Sequence, residues 1–272
     1  CIYLNEINDL WKKRFPFLNL DEIEESKVTP NKVNLIREDF RKLLRGRKLS
    51  PFLLEKTASN CLRLELINKV FPNAKFIHIL RDGRDVAVST RRKYQGDIRK
   101  ISSHKSLQIH EKRRFLNFFK EIKHKVQNGL TPFMLLTNSL RYFRMSLVLL
   151  GLRKRDFWGP RFKGFRKLYN ELTLIEVALE QWRYSVNSIF KFISRHPNKV
   201  ILTLKYEDLI LNPNHVVKKT MKFILNDDFT EEKLQHDIKT NGFKTWREVL
   251  NDEDKLLIST RISDLLKELD YE

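Results

Sequence analysis

Four residues occupy positions from which they could bind and activate an anionic group. Arg81 directly follows the apolar run AKFIHIL, and Ser89 lies two helical turns further along. Lys56 ends the run PFLLEK, and Tyr206 ends the run KVILTLKY. A guanidinium can donate paired hydrogen bonds to phosphate oxygens, and a lysine can neutralise charge on a leaving or transferring group. Ligands of open parallel sheets bind beyond the carboxyl ends of the strands, which is where these residues would lie.

Each of these residues also has a structural interpretation that spacing alone does not exclude. Arg81 could pair with Asp82 or Asp85 in a capped turn between strand and helix. Lys56 could be a solvated residue at a strand end, and Tyr206 a half-buried packing residue. The residue types are therefore compatible with an anion site but do not establish one.

The three runs at 51–56, 74–80 and 199–206 predict strands. Each is short, apolar and ended by polar residues, which is typical of parallel strands covered on both faces. Helical spacing from 61 to 71 predicts a helix between the first two strands, and Pro72 ends it. This strand–helix–strand order predicts an α/β sheet with crossover helices.

Helices are predicted for most of the remaining chain. Asp82 and Gly83 predict a turn, after which Asp85 is expected to cap a helix. From 91 to about 195 only basic amphipathic patterns occur, which predict a helical insertion within a single domain spanning 1–272. Helices are also predicted around Val216 to Ile224 and over the terminal ISDLLKELDYE.

Composition limits the classes of function. The chain has 272 residues, with 53 Lys and Arg against 34 Asp and Glu, and its net charge of +19 favours phosphorylated cofactors, polyanions or acidic surfaces. Cys1 and Cys61 are the only cysteines, so we expect a reducing, cytoplasmic location and no bound metal. The most apolar stretch, 133–152, contains an asparagine and two arginines, which favour a buried helix over a membrane span.

The segment EKTASNCLRLELINKVFPNAKFIHILRDGRDVAVST, residues 55–90, resembles the core of the sulfotransferase superfamily, especially its tyrosylprotein-type and bacterial branch. RDGRDVAVS carries most of this resemblance. Further blocks similar to the family follow in the same order: FWGPR at 157–161, LEQWRYSV at 179–186, LKYEDLILNP at 204–213, FKTWREVL at 243–250 and LLKELDYE at 265–272.

The resemblance implies a fold, a co-substrate and a set of site residues. The fold would be a P-loop-type parallel sheet flanked by helices, and the co-substrate 3′-phosphoadenosine 5′-phosphosulfate. By the same resemblance, Arg81 and Ser89 would bind the 3′-phosphate of that donor. Lys56 would contact its bridging or sulfuryl oxygens, and Tyr206 would lie against the nucleotide. Basic residues near Lys244 would help to close the phosphate site.

The chain departs from the family pattern at its beginning. It contains no loop rich in Gly, Arg, Ser and Thr that could cradle a 5′-phosphosulfate, and family spacing places that loop and its strand before Cys1. We therefore expect an N-terminally truncated protein that lacks the first strand and the phosphate loop. By itself, this chain is expected to be inactive.

The catalytic base must also differ from that of the small-molecule enzymes. Those enzymes carry a histidine beside the strand-end lysine, whereas KTASN occurs here. In the tyrosylprotein-type branch the base is a glutamate soon after the phosphate loop, and Glu6 in YLNEIND matches its position. We expect Glu6 to be partly buried beside Leu4, Ile7 and Leu10; a surface or helix-cap glutamate is the alternative. His78, within an apolar strand, is interpreted as a core histidine.

The function that the sequence favours is transfer of a sulfuryl group to a hydroxyl, or less readily an amine, of an acceptor. Glycans, lipids, peptides and small molecules all fit as acceptors, because the predicted insertion that would line the pocket is not diagnostic. The alternative is a non-catalytic module that binds nucleotides or polyanions. Nucleic-acid binding is not expected, since no recognition motif accompanies the positive charge.

Overall fold

A computed structural model describes residues 1–16, 18–47, 50–102, 159–226 and 244–271. The chain divides into two compact units, Cys1–Pro72 with Tyr94–Phe165, and Asn73–Lys93 with Arg166–Glu272. The predicted single domain stays a prediction. The apolar stretch at 133–152 and the central part of the predicted insertion lie outside the described residues.

The described elements are mixed helices and short strands. Up to Pro72 they are, in chain order, β1 (Ile2–Asn5), α1 (Asn8–Lys12), a 3₁₀ turn (Glu25–Lys27), α2 (Pro30–Leu44), β2 (Leu53–Lys56), a 3₁₀ helix (Ala58–Leu62) and α3 (Leu64–Val70). From Asn73 onwards they are β3 (Phe76–Leu80), α4 (Gly83–Ser102), α5 (Phe165–Glu171), α6 (Leu174–Arg195), β4 (Ile201–Lys205), α7 (Tyr206–Leu211), α8 (Pro213–Leu225), α9 (Trp246–Val249) and α10 (Asp252–Glu268).

In the first unit, β1 and β2 pair in parallel, with Asn5 opposite Lys56. Helices pack beside this pair through an aromatic cluster in which Trp11 and Phe71 each meet Phe40 edge to face, at centroid distances of 5.0 and 4.9 Å. Such aromatic pairs stabilise a core beyond the apolar area that they bury. The arrangement fixes the start of α1, and with it the loop that follows β1.

In the second unit, β3 and β4 pair in parallel, with Leu80 opposite Lys205. Helix α6 supplies much of the core, and it begins with a capping box between Thr173 and Glu176 that satisfies two backbone amides. Its buried face includes Trp182, which reaches the turn after β3. This turn is therefore held by both the sheet and a long, well-capped helix.

The predicted strands at 51–56, 74–80 and 199–206 are found as β2, β3 and β4. β3 and β4 pair in parallel as predicted, whereas β2 pairs with β1 in a separate two-stranded sheet rather than with β3 or β4. The expectation that both faces are covered is wrong, because Leu54 is 45% exposed and Ile79 is 60% exposed. β1 was not predicted: it has only four residues, IYLN, and Leu4 is the one buried residue among them.

The predicted helices are found as α3, α4, α8 and α10, and the described parts of the predicted insertion are mostly helical, in α4, α5 and α6. One detail is wrong. Asp85 does not cap α4; the Asp82 carboxylate does, accepting a hydrogen bond from the Arg84 amide at 2.9 Å. An N-cap carboxylate satisfies an amide that has no partner within the helix, and Asp82 precedes the first helical residue, Gly83.

None of the described helices is long and apolar enough to cross a membrane. Over the same residues, no group of three or more His, Cys, Asp or Glu side chains is arranged to hold a metal ion.

Candidate functional site

Glu6 and Lys56 form an ion pair at the carboxyl end of the first sheet. The Lys56 ammonium lies 2.6 Å from the Glu6 carboxylate, and the Glu6 amide donates a hydrogen bond to the Lys56 carbonyl at 2.8 Å. Glu6 has a left-handed backbone with φ of 53°, which turns the chain away from β1. Parallel pairing of β1 and β2 is what brings together two residues that are fifty positions apart.

The expected burial of Glu6 is not observed. Its side chain is 48% exposed, and that of Lys56 is 57% exposed. Ion pairs with this exposure contribute about 0–1 kcal/mol to stability, so the pair is not needed to hold the fold. Both groups are instead accessible to a ligand, which is what a general base and an electrophilic lysine require.

A polar cluster fixes the segment that follows Lys56. The Thr57 hydroxyl accepts a hydrogen bond from the Ile7 amide at 3.0 Å and donates one to the Glu55 carboxylate. The Asn60 amide donates a further hydrogen bond to Glu55. Burial raises the pKa of the Glu55 carboxyl, although these hydrogen bonds oppose the shift. Thr57 thus ties the loop after β1 to the loop after β2, directly beside the Glu6–Lys56 pair.

The buried Arg63 forms hydrogen bonds to the residues that follow both of these loops. The Arg63 side chain is fully buried, and its guanidinium donates hydrogen bonds to Asn8 and, at 2.7 Å, to the Ser59 hydroxyl. Asn8 in turn donates to the Asp21 carboxylate at 2.8 Å. Since Asn8 begins α1 and Ser59 lies in the 3₁₀ helix after β2, this network holds both in fixed positions.

In the second unit, Arg81 and Tyr206 lie together at the carboxyl ends of β3 and β4. The Arg81 guanidinium stacks on the Tyr206 ring at 4.8 Å from its centroid. The Arg81 carbonyl accepts a hydrogen bond from the Trp182 indole at 2.9 Å. Stacking on an aromatic face orients a guanidinium, and the N–H groups at its edge can form paired hydrogen bonds to an anion such as a phosphate.

Glu207 links the two strand ends. Its carboxylate accepts a hydrogen bond from the Asp82 amide at 3.0 Å and another from the Tyr271 hydroxyl at 2.9 Å. Burial raises the pKa of Tyr271, and the neighbouring Glu207 carboxylate adds to the increase. The phenol is therefore neutral at physiological pH and acts as a donor. This link keeps Tyr206 beside Arg81.

Ser89 and Lys244 occupy different positions relative to this pair. Ser89 is exposed on α4, so its hydroxyl is open to a ligand. Lys244 has a left-handed backbone with φ of 51°, and its amide donates a hydrogen bond to the buried Asp85 carboxylate at 2.8 Å. The second unit thus brings Arg81 and Tyr206 into contact and ties the segment of Lys244 to the first turn of α4.

His78 lies in the middle of β3 rather than at its end. Its ring is 3.5 Å from the Thr203 hydroxyl, and burial lowers the pKa of His78 to about 4. The histidine is therefore neutral at physiological pH. Its position within the strand agrees with a structural role, but the residue is half-buried rather than part of the core.

A cavity of about 340 Å³ beside the end of β4 contains none of the predicted site residues. It is lined by acidic Asp208, Glu268 and Asp270 as well as by basic Lys205 and Lys219. Mixed charge of this kind does not favour a ligand that carries several phosphates, so we do not assign the nucleotide to this cavity.

Close packing at Gly83 fixes the turn after Arg81. A Cβ atom at this position would lie 2.7 Å from the Trp182 ring, which is held by its hydrogen bond to Arg81. We expect Gly83→Ala to destabilise the protein by about 1–3 kcal/mol, because overpacking outweighs the gain of up to about 1 kcal/mol in helix propensity.

Chemical unfolding measures this effect, and the same substitution in a Trp182→Leu background serves as the control. The cost should shrink in that background, because the ring that causes the clash is absent. An unchanged or increased stability of Gly83→Ala alone would contradict the packing argument.

Two structural residues of the site were missed by sequence reasoning. Asp85 was interpreted as a cap, whereas its carboxylate binds the segment 244–246. Glu207, which directly follows Tyr206, is not among the residues predicted from the sequence, although it joins the ends of β3 and β4. Glu207 directly follows the predicted site residue Tyr206, and Asp85 lies within RDGRD. This proximity in the sequence is the signal that could have identified them.

Comparison with known proteins gives one match. Residues 10–128, a little under half of the chain, match the model of the Sulfotransferase family. The matched region includes Lys56, Arg81 and Ser89 and excludes Glu6, Tyr206 and Lys244. Searches of curated proteins and of solved structures found no significant match. The family match supports a relation of this chain to the sulfotransferase superfamily.

Proposed function

We propose that this chain is a sulfotransferase that moves a sulfuryl group from 3′-phosphoadenosine 5′-phosphosulfate to a hydroxyl, or an amine, of an acceptor. The observation that carries this proposal is the family match over residues 10–128, which includes a lysine and an arginine at strand ends. Lys56 is the last residue of β2, and Arg81 follows the last residue of β3. Strand ends of parallel sheets are where nucleotide ligands bind.

The second unit would recognise the donor. Arg81 is oriented by its contact with Tyr206 and would form a fork to the 3′-phosphate, to which the exposed Ser89 hydroxyl would donate a further hydrogen bond. Tyr206 would lie against the nucleotide. Lys244, held by Asp85 through its amide, would add positive charge. These groups favour a nucleotide that carries a 3′-phosphate over one that does not.

Glu6 and Lys56 would carry out the transfer. Glu6 would accept the proton of the acceptor hydroxyl as the hydroxyl oxygen attacks sulfur. The bond between sulfur and the bridging phosphate oxygen breaks, and adenosine 3′,5′-bisphosphate leaves with the electron pair. Lys56, now beside Glu6, would stabilise the charge on the transferring and leaving oxygens. No step in this scheme needs a metal ion.

Calorimetry on the chain tests donor recognition, with adenosine 3′,5′-bisphosphate and adenosine 5′-phosphate compared at physiological salt. Because charge-assisted hydrogen bonds contribute about 1.5–3 kcal/mol, we expect the bisphosphate to bind about tenfold or more tightly. Salt at this level screens binding that arises only from the net charge of +19. Equal affinities would contradict donor recognition.

Because this chain by itself is expected to be inactive, transfer is tested on the full-length product of the gene, with a sulfur-labelled donor and with glycan, lipid, peptide and phenolic acceptors. Label in an acceptor would support the proposal and name the acceptor class. Tight bisphosphate binding without transfer to any of them would favour the alternative, a non-catalytic nucleotide-binding module.

A further inference from the structure

We infer that Asp85 is a positioning residue. It holds Lys244 in a fixed position relative to Arg81 and Ser89, so that the three residues can recognise the donor's 3′-phosphate. The inference rests on the proposed function, and it assigns to Asp85 a role beyond that of a residue of the strand-to-helix turn. It is carried by the contacts of one buried carboxylate.

The Asp85 carboxylate is saturated by a distant segment. Asp85 is 1% exposed and accepts hydrogen bonds from the Lys244 amide at 2.8 Å, the Trp246 amide at 3.0 Å and the Thr245 hydroxyl at 3.2 Å. A buried carboxylate is costly unless such donors surround it, and charged acceptors form the stronger hydrogen bonds. Its location in the first turn of α4 therefore fixes the backbone of residues 244–246.

A second contact holds the same segment through a side chain. The Arg84 guanidinium lies over the Trp246 ring at 4.0 Å from its centroid. Arg84 is itself held by an ion pair with Asp82 at 2.8 Å and by the Tyr271 carbonyl at 2.6 Å. Two adjacent residues of RDGRD therefore hold the segment 244–246: Asp85 binds its backbone, and Arg84 contacts the side chain of Trp246.

The backbone conformation of Lys244 explains why these contacts are needed. Lys244 adopts a left-handed backbone with φ of 51°, a conformation that costs a non-glycine residue about 1 kcal/mol or more unless its surroundings impose it. The hydrogen bond from its amide to Asp85 is such a constraint. Without Asp85, the backbone at residue 244 would relax. Lys244 would then no longer be held next to the first turn of α4, which follows Arg81.

Asp85→Asn is the decisive variant because it keeps the size of the side chain. An asparagine retains one acceptor oxygen and presents an NH₂ group in place of the other, so one of the two backbone amides now faces a donor. We expect the affinity for adenosine 3′,5′-bisphosphate to fall about tenfold, which is the loss of one charge-assisted hydrogen bond, and the affinity for adenosine 5′-phosphate to change less than about twofold.

Coupling to Lys244 separates positioning from a general structural effect. In a Lys244→Ala background, Asp85→Asn should lower bisphosphate affinity by less than about threefold, because the group that it positions is already absent. Amide hydrogen exchange at Lys244 and Trp246 should accelerate in Asp85→Asn with or without nucleotide. Asp39→Asn is the matched control: like Asp85, Asp39 is a buried carboxylate, but its partner is Arg14 at 2.7 Å, and its replacement should leave nucleotide selectivity unchanged.

Three outcomes would overturn the inference: full bisphosphate affinity in Asp85→Asn, an equal loss for both nucleotides, or an undiminished effect in the Lys244→Ala background. Failure of the proposed function has a different signature, because the wild-type protein itself would then show no preference for the bisphosphate. That result would overturn the inference together with the proposed function.

Discussion

Replacing Glu6 with Gln is expected to lower turnover roughly 10²–10⁴-fold while donor affinity changes little, because the variant keeps the shape of the side chain and removes the base. The acceptor hydroxyl must lose its proton as the new sulfur–oxygen bond forms. Glu6 is accessible, and its carboxylate lies 2.6 Å from Lys56, the residue proposed to stabilise the leaving group. Turnover is measured on the full-length product of the gene, at saturating donor and across a range of pH.

A matched control separates loss of the base from loss of a surface ion pair. Glu25 in the same unit is 51% exposed and pairs with Lys69 at 2.9 Å, so Glu25→Gln removes a similar ion pair away from the site. Its turnover should equal that of the wild type. Near wild-type turnover in Glu6→Gln at every pH would show that another group accepts the proton.

Strand ends could be predicted from the sequence because they depend on local pattern. The apolar runs before Lys56 and Arg81 are short and end in polar residues, and both residues do lie at or directly after the ends of β2 and β3. The ion pair between Glu6 and Lys56 could be suspected from the family position of Glu6, but its contact depends on β1. That strand has only four residues and a single buried side chain, Leu4, so no periodicity marks it.

Contacts between distant segments could not be predicted. Asp85 follows a turn signal and precedes an apolar helix, which is the local pattern of a cap, and Asp82 fits the same pattern equally well. Only the fold shows that Asp82 caps α4 while Asp85 binds residues about 160 positions away. Exposure of Glu6 was missed for a similar reason: its apolar neighbours Leu4 and Ile7 turn inwards, whereas its left-handed backbone turns Glu6 outwards.

Replacing Arg81 with Ala should weaken binding of adenosine 3′,5′-bisphosphate about tenfold to a hundredfold and leave binding of adenosine 5′-phosphate nearly unchanged. A bidentate, charge-assisted contact contributes about 1.5–3 kcal/mol, and only the 3′-phosphate is proposed to receive it. The substitution spares the backbone of the turn, because Trp182 donates its hydrogen bond to the Arg81 carbonyl rather than to the side chain. Calorimetry with both nucleotides measures the difference.

Arg91→Ala is the matched control for this experiment. Arg91 lies on α4, the helix that follows Arg81, and its guanidinium pairs with Asp254 at 2.7 Å, so its loss removes a positive charge and an ion pair without changing the strand end. If net charge alone attracted nucleotides to the protein, both variants would reduce the affinity for both nucleotides to the same extent. A selective loss in Arg81→Ala, absent in Arg91→Ala, would place the 3′-phosphate at Arg81. Equal losses for the two nucleotides in Arg81→Ala would instead mean that the arginine serves the fold, through its stacking on Tyr206.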